Sequence, residues 1–304
     1  FAGACMMTPR ESLVEVAVEC ANQLGESPLW CPLSQTLFWI DCGPPSALFR
    51  LDPATGAVRS WPMPSRIGAV ALHGGDRLLL ALRDGVYLFD LASAQLTLVA
   101  ANPLGSAIDL HEGKCDRQGR FWTGSITRSD PGAAGFYRLD GARLERRFDG
   151  ISIANCLAWS ADGRTLYFGD TAQQTVWASD YDGATGQAGE PRPFIHVPME
   201  EGQLDGAAVD AEGRYWIALF RGSCVRCYAP DGTLLRQIDL PISQPTMVAF
   251  GGPDLADLYI TSTRYGQDAA ALSAEPGLGH LYRISNVGKG LADTPWRDGR
   301  VTPI

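Results

Sequence analysis

A short pattern of apolar and polar positions recurs six times along the chain: a Gly- or Asp-containing turn, an apolar strand, a polar loop and a second strand. Short apolar runs bounded by turn residues are typical of β-strands. The leading strands of the six copies begin near Leu37, Leu78, Phe121, Leu166, Tyr215 and Leu258. Successive starts are 41, 43, 45, 49 and 43 residues apart. This even spacing predicts a repeat architecture.

The second strand of each copy recurs as ALFRLD, GVYLFDL, GFYRLD, TVWASDYD, CVRCYAPDG and HLYRIS. No stretch shows a sustained period of 3.6 residues, so we expect few helices. A single small sheet of this size cannot bury both of its faces, whereas repetition around an axis buries them between neighbours. Six copies therefore predict an all-β fold, a six-bladed β-propeller with a central channel.

We expect one domain over residues 13–304, because the repeats span nearly the whole chain. The alternative is a β-sandwich of two subdomains, which the even spacing disfavours. Residues 1–12 (FAGACMMTPRES) begin with Phe rather than Met and lack the basic and apolar regions of a signal peptide. We set them apart as a disordered start or a vector-derived remnant.

Three polar residues occupy the same place in different repeats. Glu26 lies in GESPLW, Asn155 in IANCLAW and Asp205 in QLDGAAV, and each segment directly precedes a repeat strand. In a propeller, equivalent positions of different blades meet at one mouth of the channel. Two carboxylates and an amide oxygen suit a divalent cation, so we predict a metal site on the axis. The alternative is ordinary turn chemistry at strand entries.

The third repeat carries a cluster of polar residues at its entry. Asp109, His111 and Glu112 stand in the matching segment IDLHEGKCD, and we expect His111 to face the channel. Ser129 and the following Asp130 come after the repeat strand, in a loop expected at the rim of the same mouth.

Composition and charge limit the classes of molecule that the protein is expected to bind. A net charge of −9 and a pI of about 4.9 disfavour nucleic-acid binding, and no apolar run is long enough to span a membrane. Eight scattered cysteines, mostly in apolar runs, indicate free thiols and a cytoplasmic location. The strand period points Cys224 and Cys227 to opposite faces, which argues against a zinc or redox pair. A propeller needs no partner chain, so we expect a monomer.

The blocks GESPLW, GKCDRQGRFWTGS, ANCLAWSADGRTLYFGD, LDGAAVDAEGRYWIA and QPTMVAFGGPDLADLYITSTR resemble, in order, those of the senescence marker protein (regucalcin), gluconolactonase and luciferin-regenerating enzyme family. The resemblance covers roughly residues 14–290. It implies a six-bladed propeller and a metal-dependent lactonase, with metal ligands at Glu26, Asn155 and Asp205. It also implies that Asp205 is the general base.

The departures from the family pattern concern the substrate contacts. Asp109 stands where sugar-lactonase members carry an Arg, His111 replaces an Asn, and Ser129 aligns with an acidic residue. We expect these three residues to contact substrate, and we expect Asp109 to disfavour a substrate with an extra anionic group. Cys156 and Leu204 replace a Gly and a Pro beside the ligands.

These observations predict a hydrolase that opens a small-molecule lactone ring with one divalent metal ion: Ca²⁺, Zn²⁺, Mn²⁺, Mg²⁺ or Fe²⁺. The metal would polarise the carbonyl and Asp205 would activate water. Two alternatives stay open: another metal-dependent esterase or phosphotriesterase-like hydrolase, and a non-catalytic calcium-binding regulatory propeller.

Overall fold

The computed structural model describes residues 14–298, so the predictions for residues 1–12 lie outside the described part. The first strand, β1 (Val14–Val18), is followed by six antiparallel groups of three to five strands, here called units 1 to 6. Unit 1 contains β2 (Gly25–Cys31), β3 (Thr36–Asp41), β4 (Ala47–Asp52) and β5 (Ala57–Pro62). Unit 2 contains β6 (Ile67–His73), β7 (Arg77–Leu82), β8 (Gly85–Asp90) and β9 (Leu96–Ala101).

Units 3 and 5 also have four strands, whereas unit 4 has five and unit 6 has three of its own. Unit 3 contains β10 (Asp109–Cys115), β11 (Phe121–Ile126), β12 (Ala134–Asp140) and β13 (Arg143–Ile151). Unit 4 contains β14 (Ala154–Trp159), β15 (Thr165–Asp170), β16 (Thr175–Asp182), the two-residue β17 (Gln187–Ala188) and β18 (Arg192–His196). Unit 5 contains β19 (Gln203–Val209), β20 (Tyr215–Phe220), β21 (Cys224–Tyr228) and β22 (Leu234–Asp239). Unit 6 contains β23 (Pro245–Gly251), β24 (Asp257–Ser262) and β25 (Leu281–Ile284).

Helices are few in the described residues, as the missing helical period predicts. There is one short α-helix, α1 (Ala269–Ala274), and three 3₁₀ turns at Gly105–Ala107, Thr171–Gln173 and Met199–Glu201. The predicted strand starts are also confirmed, since the second strands of the units begin within one residue of the expected positions. None of these helices is long or apolar enough to cross a membrane.

The first strands of the six units form a closed ring. β2 packs on β6, β6 on β10, β10 on β14, β14 on β19, β19 on β23, and β23 returns to β2. The strands approach closely because small residues stand between them: a Cβ atom on Gly68 would clash with the Leu110 carbonyl, and one on Gly206 with Met247. The fold is therefore all-β and propeller-like, with the first strands innermost.

Apolar residues fill the space between neighbouring units. Each of six buried clusters draws its side chains mainly from two adjoining units, and one of them combines unit 6 with unit 1. Among the largest fully buried side chains are Trp39, Trp122 and Trp216. Because both faces of every sheet are covered in this way, the stabilisation of the fold by hydrophobic burial is distributed around the ring.

The last unit is completed by the first strand of the chain. β1 pairs antiparallel with β25, with Val14 opposite Ile284 and Val16 opposite Tyr282. An ion pair between Glu15 and Arg283 reinforces this junction. The ring is thus closed by hydrogen bonds between strands from the two ends of the described chain.

The two cysteines of the C-x-x-C sequence face different cores, which confirms the prediction from the strand period. Cys224 packs in the cluster between units 4 and 5, whereas Cys227 packs in the cluster between units 5 and 6. All seven described cysteines are free thiols. Cys5 lies outside the described residues.

Candidate active site

A cavity of about 640 Å³ lies at the end of the ring where the first strands begin. All six residues predicted for the site line it: Glu26, Asp109, His111, Ser129, Asn155 and Asp205. Glu26 is the second residue of β2, Asn155 the second of β14 and Asp205 the third of β19. The structure therefore brings together residues that the repeat pattern placed in equivalent positions.

Two buried aspartates fix the chain where it enters β2 and β14. Asp41, the last residue of β3, accepts hydrogen bonds from the backbone N–H groups of Gln23 and Leu24, both at 2.8 Å. In unit 4 Asp170, the last residue of β15, accepts in the same way from the N–H groups at positions 152 and 153, both at 3.0 Å. Charge-assisted hydrogen bonds of this kind hold the backbone two residues before Glu26 and before Asn155.

The carboxyl groups of Glu26 and Asp205 are buried, with exposed fractions of 6% and 8%. Burial, followed by the charge of the nearby Glu112, raises the pKa of Glu26 to about 8. Burial, followed by the charge of Glu26, raises the pKa of Asp205 well above its usual range. In the described part of the chain, neither carboxyl has a basic side chain within 4 Å. A cation between them would relieve both effects.

Asn155 is oriented by a chain of hydrogen bonds that reaches the neighbouring unit. Its Nδ2 donates to Thr171 Oγ1 at 2.8 Å, and Thr171 Oγ1 donates to the carbonyl oxygen of Leu204 at 2.7 Å. With the amide nitrogen committed, Oδ1 is directed away from Thr171. Leu204 directly precedes Asp205, so this chain couples the positions of two predicted ligands.

The donor set fits a divalent cation by its chemistry. Two buried carboxyls and an amide oxygen are hard oxygen donors, which suit Ca²⁺, Mg²⁺ or Mn²⁺. Among residues 14–298, no three His, Cys, Asp or Glu side chains are grouped closely enough to hold a metal by themselves. A metal at this site would therefore require the amide of Asn155 as well as the carboxyls.

Glu112 adds a third buried carboxyl close to the other two. It has a positive φ of 42°, and its Oε1 accepts a hydrogen bond from the backbone N–H of Leu157 at 3.0 Å. Burial raises its pKa to about 8, while Lys114 acts in the opposite direction. Its charge in turn raises the pKa of Glu26 and Asp205. The centre of the ring thus brings three carboxyl groups together, and their raised pKa values favour the neutral form.

His111 is held as a neutral imidazole by Arg66. Arg66 Nη2 lies 3.1 Å from His111 Nδ1, and because a guanidinium only donates, Nδ1 is the acceptor. The proton of the neutral ring is then on Nε2. Burial, together with the charges of Arg66 and Arg128, lowers the pKa of His111 well below its usual value. His111 and Asn155 both line the cavity, and a side-chain hydrogen bond between them acts on the pKa of His111 in the opposite direction.

Asp109 lies between two arginines. Its Oδ1 accepts from Arg83 Nε at 2.7 Å, and its Oδ2 is 3.9 Å from Arg66 Nε. Asp109 was expected to disfavour an anionic substrate, but its carboxylate is paired with two guanidinium groups. Ser129 is exposed in the loop that follows β11, the second strand of unit 3, next to Arg128.

Arg66 was not identified from the sequence, although it contacts two of the predicted site residues, His111 and Asp109. Besides His111 and Asp109, it donates from Nη1 to the Leu110 carbonyl oxygen at 2.9 Å. It stands just before β6, in SRIGAV, where nothing distinguishes it from a surface arginine. Only the contact between β6 and β10 reveals its role, and that contact is between units.

We expect Arg66→Met to lower the free energy of unfolding by about 3 kcal/mol, because it removes the donor to Leu110 and His111 and one partner of a largely buried ion pair. The matched control is Arg83→Met, which removes the other partner of Asp109. Arg83 is 48% exposed, so we expect a change within about 1 kcal/mol. Urea unfolding of both variants measures the difference. Equal losses in the two variants would contradict the assignment.

The fold and the cavity define an all-β, propeller-like protein with a ligand site at one end of its ring. Residues 24–264 match the family described as the SMP-30/Gluconolactonase/LRE-like region. This match covers well over half of the chain, so the chain belongs to that family. The resemblance identified from the sequence blocks is thereby confirmed.

Similar proteins extend over nearly the whole chain. A 6-deoxy-6-sulfogluconolactonase from Pseudomonas putida is 36% identical over 274 residues, which cover 88% of this chain and 93% of the relative. An L-arabinolactonase from Azospirillum brasilense is 32% identical over 280 residues, with 89% and 91% covered. The crystal structure of a calcium-binding protein, regucalcin, from Agrobacterium tumefaciens has a TM-score of 0.91 at 30% identity and covers 94% of this chain and 98% of that one.

Proposed function

We propose that this protein is a metal-dependent lactonase built as one six-bladed β-propeller over residues 13–304, with the cation on the central axis. The six units and the closed ring of first strands support the number of blades. The family and the two relatives with lactonase names support hydrolysis of a sugar lactone.

The observation that carries the proposal is the convergence of Glu26, Asn155 and Asp205 on one cavity from three different units. Burial and the charge of a neighbouring carboxyl, Glu112 for Glu26 and Glu26 for Asp205, raise the pKa of both groups, which disfavours their ionised forms unless a cation binds between them. Hydrogen bonds from Asn155 to Thr171 and from the backbone of residues 23 and 24 to Asp41 hold Asn155 and the entry to Glu26 in place at this cavity.

A bound divalent cation supplies Lewis-acid polarisation of the lactone carbonyl. Asp205 accepts a proton from the attacking water, whose oxygen bonds to the carbonyl carbon. The bond between that carbon and the ring oxygen then breaks, and the ring oxygen takes up a proton to give an open-chain hydroxy acid. His111 Nε2–H donates to an oxygen of the substrate, and Ser129 contacts its hydroxyl groups from the rim.

A calcium-binding regulatory protein is the second candidate, favoured by the close structural likeness to a protein described as calcium-binding. A third candidate is hydrolysis of esters or phosphotriesters at the same site. We also propose a monomer in the cytoplasm, to which the seven free thiols of the described chain are suited.

The test is turnover by the purified protein, loaded in turn with Ca²⁺, Mg²⁺, Mn²⁺ and Zn²⁺, of sugar lactones, aryl esters and a phosphotriester. We expect lactones to be hydrolysed with the highest kcat/KM. Turnover is measured by pH-stat titration of the acid that is released. Preference for an aryl ester or phosphotriester would assign the third candidate. Tight Ca²⁺ binding with no turnover of any compound would assign the second.

A further inference from the structure

Four arginines line the cavity: Arg66, Arg83, Arg128 and Arg264. Arg66 and Arg83 are engaged with Asp109, as described above. Arg128 and Arg264 have no acidic side chain within 4 Å in the part of the chain that the structure describes. Two guanidinium groups thus face the cavity without a compensating carboxylate, in a protein whose net charge is −9.

Arg128 is held in place by a neutral partner. Its Nη1 donates to Tyr265 Oη at 2.9 Å, and its guanidinium carbon lies 5.1 Å from the centroid of the Tyr265 ring. A cation–π contact and one hydrogen bond fix the position of the group but leave its charge and its other N–H donors available. Arg128 also contributes to the pKa shifts of His111 and Asp205, so its field reaches the centre of the site.

Arg264 is anchored through the backbone and directly precedes Tyr265. Its Nε donates to the carbonyl oxygen of Leu278 at 3.0 Å. This hydrogen bond does not use the two terminal nitrogens of the guanidinium. Gln203 and Gln267 line the same cavity, and their amide nitrogens donate to Met199 Sδ and Gln244 Oε1. We call Arg128, Arg264 and Tyr265 the arginine rim.

We propose that the arginine rim binds an anionic substituent of the lactone, a carboxylate, sulfonate or phosphate, at the end of the molecule remote from the reacting carbonyl. This inference rests on the proposed lactonase function. The predicted metal ligands are buried at the base of the cavity, while Arg128 and Tyr265 are exposed at its mouth. A substrate that spans the two places has its carbonyl at the base and its charged group at the rim.

The placement of Asp109 agrees with an anionic substrate. Its carboxylate alone would disfavour a second negative charge, but Arg83 and Arg66 are paired with it. With Asp109 paired, the unpaired charge at the mouth of the cavity is positive. A guanidinium group is well suited to oxyanions, because it presents several N–H donors in one plane.

The experiment compares kcat/KM for neutral glucono-1,5-lactone with that for the same ring carrying a 6-phosphate, a 6-sulfonate or a 6-carboxylate. We expect the wild-type protein to prefer at least one anionic lactone. Arg128→Met should lower kcat/KM for that lactone by about 10- to 100-fold more than for the neutral lactone, the range of a charge-assisted hydrogen bond. Comparison of the three anionic lactones shows whether the site prefers a phosphate, a sulfonate or a carboxylate.

Arg146→Met is the matched control. Arg146 makes the same kind of contact with Tyr137, donating to its hydroxyl group at 2.7 Å with the guanidinium 5.4 Å from the ring centroid, but it lies on the outermost strand β13. We expect this variant to keep the wild-type preference. High salt should weaken only the anionic reactions, because exposed charges are screened over about 3 Å at 1 M ionic strength.

The outcomes separate this inference from the proposed function. Hydrolysis of the neutral lactone without preference for any anionic lactone would overturn the inference and leave the lactonase function standing. Equal losses on both substrates in Arg128→Met would also overturn it, since the arginine would then serve the structure alone. Failure to hydrolyse any lactone would overturn the proposed function and this inference with it.

Discussion

We expect Asp205→Ala to reduce lactone hydrolysis by at least about 10³-fold, because one side chain would be lost both as a metal ligand and as the acceptor of the proton from water. The fold should survive. Asp205 is buried beside Glu26 and Glu112, so removing one of three mutually repelling carboxyls relieves an unfavourable interaction. The measurement is kcat/KM for a sugar lactone at saturating divalent metal, together with the melting temperature of the metal-free protein.

The control variant is Asp109→Asn, which changes a carboxyl in the same cavity that is paired with arginines rather than with a metal. We expect its kcat/KM to fall by no more than about 10-fold, since it loses one charged hydrogen bond. If Asp205→Ala retained turnover near the wild-type rate while folded and metal-bound, both roles assigned to Asp205 would be wrong.

Removal of divalent metal by a chelator should abolish lactone hydrolysis, and a single added divalent cation should restore it. Without a cation, burial and neighbouring carboxyl charges raise the pKa of Glu26 and Asp205, so both groups must be protonated or remain unfavourably charged. Because a ligand that binds only the folded state stabilises it, the melting temperature should rise with metal concentration. Both effects should be larger near pH 8 than near pH 6, since protons compete for Glu26 below its pKa of about 8.

Asn155→Leu provides the comparison for this experiment. It is close in volume, but it lacks the amide oxygen, and we expect weaker metal binding with both carboxyls still in place. Isothermal titration calorimetry compares the affinity for the cation of the wild-type protein and of Asn155→Leu, each first freed of metal by a chelator. Full activity of the chelated wild-type protein would remove the metal from the proposed function, even if the site bound cations.

Most of the fold could be predicted from the repeat period. It located the six second strands to within a residue, because apolar strand residues and turn residues alternate in every unit and no competing helical pattern interrupts them. The same period placed Glu26, Asn155 and Asp205 in one cavity, since equivalent positions of repeated units lie at the same end of the ring. Their role as metal ligands stays a prediction.

The contacts between units were not predictable in the same way. Arg66, Thr171 and Arg128 act through hydrogen bonds or charges directed at other units, and no local pattern shows where a long side chain of one unit meets the next. A signal did exist for Asp41 and Asp170, which end two repeat strands in WID and FGD and became buried hydrogen-bond acceptors. An aspartate at the end of an apolar strand is a position worth testing for such a role.

The pairing of β1 with β25 has a consequence for how the protein is made. Glu15 and Arg283, which meet at this junction, are 268 positions apart in the chain. During synthesis, at about 5–20 residues per second, units 1 to 5 emerge while the edge of β1 still lacks its partner. The ring is sealed only after β25 has left the ribosome, so a premature stop before that strand would leave an exposed strand edge able to pair with another chain.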